Sequence, residues 1–192
     1  MSRYHARMPG LAAPIKVWDR AVRLLHWLLV VAVVVAWTST LGLGFSRAHE
    51  AAGYISLGVV AIRVIWGFCG SPYARFSQFV RSRHEVLHYA GQLCEGKERR
   101  YVGHNPLGGW MVLLLLSLIA SLGLTGWLYT TDYFWGRAWL DMLHHALAWA
   151  LLVLVALHLA GVAFTSLRHR ESLIAAMLSG RKPAPGPGDS VS

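Results

Sequence analysis

Apolar residues fill four long stretches of this chain, and polar residues are pushed into the segments between them. The runs cover residues 22–43, 51–68, 107–130 and 144–167. A helix of about 20 mostly apolar residues crosses the hydrocarbon of a bilayer. The third run has no charged residue, the first carries Arg23 at its head, and the second carries Arg63 near its end. The pattern predicts an all-α integral membrane protein, a four-transmembrane-helix bundle with short connections. Two further segments, His84–Cys94 and Glu171–Gly180, are short, amphipathic and flanked by Lys and Arg, as helices lying on a membrane surface are. Residues 1–181 read as one membrane domain. Residues 182–192, rich in Pro, Gly and Ser, read as a flexible tail.

Composition agrees: of 192 residues, 55% are hydrophobic and 14% are charged. The net charge of +9 would suit a nucleic-acid partner if the basic residues were gathered on one face. They are not. Lys and Arg number five in residues 1–23, one in 42–50, six in 69–106, one in 131–143 and four in 168–192. This alternation is what the positive-inside rule produces, so both termini and the 69–106 connection are expected in the cytoplasm. Topology thus explains the basicity, and no nucleic-acid partner is expected. The opening "MSRYHARMPGLAAPIK" has no apolar core, so no cleaved signal peptide is expected. Cys69 and Cys94 fall on the side where thiols stay reduced, and the absence of a CxxCH motif excludes haem attached through cysteine.

Histidine carries the chemistry. His144 and His158 are fourteen residues apart. On a helix that spacing comes within about 40° of four whole turns and separates the two by about 21 Å along the axis. His145 points about 140° away from His158. If the first span starts in the cytoplasm, His26 lies near that side, while His49 and His144 lie near the other. The 21 Å descent brings His158 to about the depth of His26. Two cross-helix pairs follow, His26 with His158 and His49 with His144. Two imidazoles facing each other at two depths of a four-helix bundle suit haem iron held axially. Zinc suits the pairs less, with no Cys or carboxylate close by to complete a tetrahedral set. For the helix-end histidines the plain alternative is an interfacial side chain reaching for headgroups. His5, His84, His88 and His169 are expected to be solvated.

Arg63 lies fourteen residues after His49, on the same helix face. It either pairs with an anionic haem propionate or snorkels to the headgroups. Gly109 and Gly123, also fourteen apart, are expected to leave room beside flat macrocycles. No nucleophile–base pair or carboxylate dyad is evident, so no catalytic residue is assigned. For any proton-coupled redox chemistry the candidate proton acceptors are His104, Asp19, Glu50 and Asp141.

These pieces resemble the bacterial cytochrome b561 family, and also the b-type cytochrome subunits of membrane hydrogenases. The resemblance rests on "RLLHW" around His26, "HEAAGY" with Arg63 beyond it, "HNPLGGW" from His104, and "LHH" followed fourteen residues later by "LH". It covers about residues 17–182. It implies a multi-pass protein of the bacterial plasma membrane holding two non-covalent b haems in a four-helix bundle. The iron ligands would be His26, His49, His144 and His158, with His144 preferred over His145. The expected function is electron transfer between the quinone pool and a periplasmic redox partner such as a c-type cytochrome. "HNPLGGW" and Gly70–Val80 look most like the stand-alone members that work this way. The alternative is a haem-carrying membrane anchor of a larger oxidoreductase such as a hydrogenase; a haem-free transporter or scaffold is a third reading. A homodimer is compatible with any of them.

Overall fold

The computed structural model describes residues 13–42 and 47–191. His5, most of the N-terminal segment and Leu43 at the end of the first predicted span lie outside them. Four long helices dominate: α1 (Arg20–Thr40), α2 (Arg47–Cys69), α5 (Pro106–Tyr129) and α6 (Ala138–Arg168). All four are long and apolar enough to cross a membrane. Between α2 and α5 come the short helix α3 (Phe76–Phe79) and α4 (Arg83–Cys94), and α7 (Leu173–Ser179) follows α6. Both surface helices read from the sequence are present, as α4 and α7.

Local chemistry sets the helix starts. Asp19 caps α1 by accepting from the Val22 N–H at 2.8 Å. Asn105 caps α5 by accepting from the Gly108 N–H at 2.7 Å, with Pro106 at the first helical position. Ser82 and Glu85 form a capping box on α4. Two helices begin earlier than the hydropathy suggested. α2 takes in Glu50 and α6 takes in Asp141 in their first turns, where a carboxylate favours the positive helix end. The 31 residues of α6 span about 46 Å, so it projects well beyond a core of about 30 Å.

Helix α1 packs on α2, α2 on α5, and α5 on α6. Their shared core is built on Val60, Leu116, Ile119 and Leu151. Helices α1 and α6 approach each other little through their backbones; the Trp37 and Trp149 rings meet across that gap with centroids 5.4 Å apart. Outward residues such as Val31, Ile55, Ile65 and Leu157 are exposed and apolar, as a lipid-facing surface requires. This is the architecture of a multi-pass membrane protein.

A second core, of Val17, Trp18, Val22, Ala74, Val102 and Ala176, closes one end of the bundle. There Ile15–Lys16 (β1) pairs antiparallel with Arg181–Lys182 (β2), so the described residues near both termini meet at one end. Gly180 makes this possible, since its φ of 80° turns the chain while its carbonyl accepts from the Val17 and Trp18 N–H groups. Residues 182–190, read from sequence as a flexible tail, make contacts with the rest of this end. Lys182 and Arg100 both bind Glu171, at 3.0 and 2.8 Å; Arg100 also binds Asp189. The Ser190 carbonyl accepts from the Val102 N–H at 3.0 Å.

Candidate functional site

The sequence put His49 and His144 at one level, and the structure brings their rings together, with centroids 6.2 Å apart and planes crossing at 67°. Two imidazoles opposed across one metal, with bonds of about 2.0 Å and about 1.2 Å from nitrogen to ring centre, would have their centroids about 6.4 Å apart. The rings are also held in the tautomer such a role needs. Nδ1 of His49 lies 2.9 Å from the Ala36 carbonyl oxygen, which can only accept, so Nδ1 carries the proton and Nε2 is left with its lone pair. Nδ1 of His144 lies 2.8 Å from Thr125 Oγ1. The Thr125 hydroxyl proton is within reach of its own helix carbonyls, Ser121 at 2.9 Å and Leu122 at 3.1 Å. With its proton on either carbonyl, its oxygen is free to accept from His144. Metal-binding histidines are commonly oriented by such a bond from the other ring nitrogen. Space is present as well: a Cβ added at Gly53, one turn after His49, would meet nothing within 4 Å.

His145 faces elsewhere. It is exposed, and its Nδ1 lies 2.9 Å from the Asp141 carbonyl one turn back. His84 and His88 are exposed on α4, while His169 is half-buried at the C-cap of α6.

At the other end, His26 and His158 are both half-buried, and His158 lies within electrostatic range of His26. Nδ1 of His26 is buried with no hydrogen-bond partner. Arg63 is also here and is 6% exposed, so it does not snorkel. Its Nη2 donates to the Ala74 carbonyl at 3.1 Å, its Cζ lies 5.5 Å from the Phe76 ring centroid, and its Nη1 is buried without a partner. Unpaired buried donors are costly, so these atoms fit an additional acceptor that the chain does not itself supply. Among the described residues no three His, Cys, Asp or Glu side chains gather as a metal-binding set.

The candidate proton acceptors separate. Asp19 is committed to the fold, accepting from Val22 N, Trp66 Nε1 and Ser71 Oγ. Burial pushes its carboxyl up, but these bonds hold it below its ordinary value. His104 is pressed between Trp18 and Phe79, with ring centroids 4.7 and 4.6 Å away. Burial, then the Arg63, Lys182 and His158 charges, push its pKa down to about 3, so it is neutral at physiological pH. Glu50 and Asp141 are exposed near the His49 end.

The expected glycine clefts are filled by protein. A Cβ at Gly109 would come within 2.3 Å of the Phe79 carbonyl oxygen, and one at Gly123 within 3.1 Å of Leu57. Fourteen-residue spacing said nothing of which neighbour packs against each glycine. Sequence reasoning also missed Thr125 and the Ala36 carbonyl as partners of the histidines.

The family model for prokaryotic cytochrome b561 matches residues 17–180. Among curated proteins, a probable Ni/Fe-hydrogenase B-type cytochrome subunit of Bradyrhizobium diazoefficiens is 23% identical over 86% of this chain and 85% of its own length. Proteins of the same description are 28% identical in Rhizobium leguminosarum bv. viciae (73% and 70% covered) and in Azotobacter chroococcum (85% and 86%). No solved structure matches.

Proposed function

This chain belongs to the prokaryotic cytochrome b561 family, and from that premise we propose that it is a dihaem electron carrier, the membrane subunit of a larger oxidoreductase. Membership implies haem b. We assign one haem to His49 and His144 and one to His26 and His158, with Arg63 beside the second. The observation that carries the assignment is the His49–His144 pair, 6.2 Å between centroids with both Nδ1 atoms satisfied. Bound haem supplies reversible one-electron exchange at iron. The chain's own residues fix the imidazole tautomers, keep water from the bundle core and set the two sites at different depths.

The distribution of basic residues supports a His26–His158 level toward the cytoplasm and a His49–His144 level toward the outer face of the plasma membrane. Short connections at the outer level leave it open to a protein partner. A quinone in the bilayer is the second partner in this reading. The curated relatives' descriptions support a subunit of a hydrogenase-like complex over a free cytochrome. The "HNPLGGW" stretch supports a second reading, exchange with a periplasmic c-type cytochrome.

A pyridine haemochrome assay on the purified chain is expected to give two b haems per chain, both low spin and released by acidified acetone. One haem or none refutes the two-site assignment. Isolation from native membranes in mild detergent separates the partner readings. Co-purification with a catalytic oxidoreductase subunit supports the first; a chain that purifies alone and is reduced by a c-type cytochrome supports the second.

A further inference from the structure

Arg63 Nη1 is not alone in lacking a partner at the His26 end, since His104 Nδ1 is also buried and unbonded. The two side chains share a wall. The Phe79 ring centroid lies 4.6 Å from the His104 centroid and 6.0 Å from the Arg63 Cζ. Trp18 lies 4.7 Å from the same imidazole, which restrains its rotation. The bond from Arg63 Nη2 to the Ala74 carbonyl anchors the guanidinium, so the position of Nη1 is set as well. Asp19 is the carboxylate whose charge reaches Arg63, and its oxygens are already taken by Val22, Trp66 and Ser71. Two fixed, buried nitrogen donors on one aromatic wall, one carrying a full charge, match an anionic acceptor with two oxygens. A neutral quinone carbonyl would leave the guanidinium charge uncompensated.

We propose that His104 and Arg63 form a clamp for one carboxylate of the haem held at the His26–His158 level, Arg63 donating from Nη1 and His104 from Nδ1. The clamp rests on the haem assignment above and adds to it His104, a positioning residue that is not an iron ligand. The neutral imidazole is sufficient, because the Nδ1–H tautomer donates one bond without taking up a proton.

The test uses the full chain, stripped of haem in detergent and reloaded with protohaem or with its dimethyl ester, which keeps iron and ring but has no free carboxylate. The dissociation rate is read at the His26 level, with the His49-level haem as a control for folding. Wild-type protein is expected to release the ester faster than protohaem, on the order of tenfold. His104→Ala is expected to release protohaem faster by a similar factor while releasing the ester no faster than wild type. His104→Gln keeps an N–H donor and is expected to recover part of the retention. As a second measurement, redox-difference infrared spectra of the as-purified holoprotein with labelled haem carboxylates are expected to shift in His104→Ala. Equal retention of both haems by wild type, equal loss of both from His104→Ala, or unshifted carboxylate bands each overturns the clamp. If His26→Ala removes no haem, the haem assignment itself fails.

Discussion

Replacing Thr125 by valine tests whether the ring geometry of His144 sets its chemistry. The change keeps the shape of the side chain and removes one oxygen, the acceptor 2.8 Å from His144 Nδ1. The α5 backbone does not depend on that oxygen, because its bonds to Ser121 and Leu122 are additions to the helix ladder. What remains is an imidazole N–H without its acceptor, a loss of about 1–3 kcal/mol for a buried donor. His144 is half-buried, which places the expected loss near the lower end, about 1.4 kcal/mol or tenfold in haem retention. That agrees with the 10–100-fold range typical for partners of metal-bound histidines. Losing the acceptor also makes the imidazole less basic, so the midpoint potential of the His49–His144 haem is expected to rise. Spectroelectrochemistry and transfer of haem to a scavenging apoprotein measure the two effects on one sample. The His26-level haem must stay unchanged. Retention and potential both at wild-type values, or a change confined to the other haem, would refute the pairing of Thr125 with a ligand.

His144→Ala is expected to lose the His49-level haem and His145→Ala to keep both, since His145 is exposed and bonded to its own helix; haem stoichiometry decides. Gly109→Ala forces a methyl group to within 2.3 Å of the Phe79 carbonyl and is expected to destabilise the fold by about 1–3 kcal/mol, read as a lower midpoint in thermal unfolding. The C-terminal clasp should be acid-sensitive. Burial works against the Glu171 charge, but Arg100 and Lys182 hold its pKa below the ordinary value of 4.5. A carboxyl lowered by folding adds stability above its ordinary value, and that stability is lost as pH falls through the lowered one. Hydrogen-exchange protection in residues 182–190, taken relative to the intrinsic exchange rate at each pH, is therefore expected to be high at pH 7 and to fall only below about 4.5. Glu171→Gln should show fast exchange already at pH 7, and slow exchange in that variant would argue against the clasp.

The spans were legible because hydrocarbon selects for composition, and composition needs no knowledge of neighbours. Their ends were less so. Once α2 and α6 leave the apolar core their first two turns carry Glu50, Asp141 and the histidine pair, so helix continues where hydropathy has stopped reporting it. The contacts of the tail were hidden for the opposite reason: Pro and Gly content speaks only of local order, and the ion pair of Arg100 with Asp189, 89 residues apart, is one that composition cannot register.

The same division runs through the candidate site. Two features of a histidine on a helix can be counted from sequence, its facing angle and its depth. Those two placed His49 against His144 and left His145 outside. What the neighbouring atoms do with each ring cannot be counted. The acceptor for His49 is a main-chain carbonyl, Ala36, thirteen residues away, and a carbonyl leaves no trace in the choice of amino acid. Thr125 sits nineteen residues before His144 on another helix, where a threonine reads as an ordinary small residue of a span. Arg63 shows both sides of the matter. Its spacing from His49 could be counted, but whether it reached headgroups or stayed inside depended on Ala74, Phe76 and Phe79, all from a connection that the sequence presented as loop. That connection folds back under the bundle because Gly109 has no side chain to keep the Phe79 backbone away. A glycine first read as room for a cofactor is thus what brings Phe79, and with it His104, to the buried arginine.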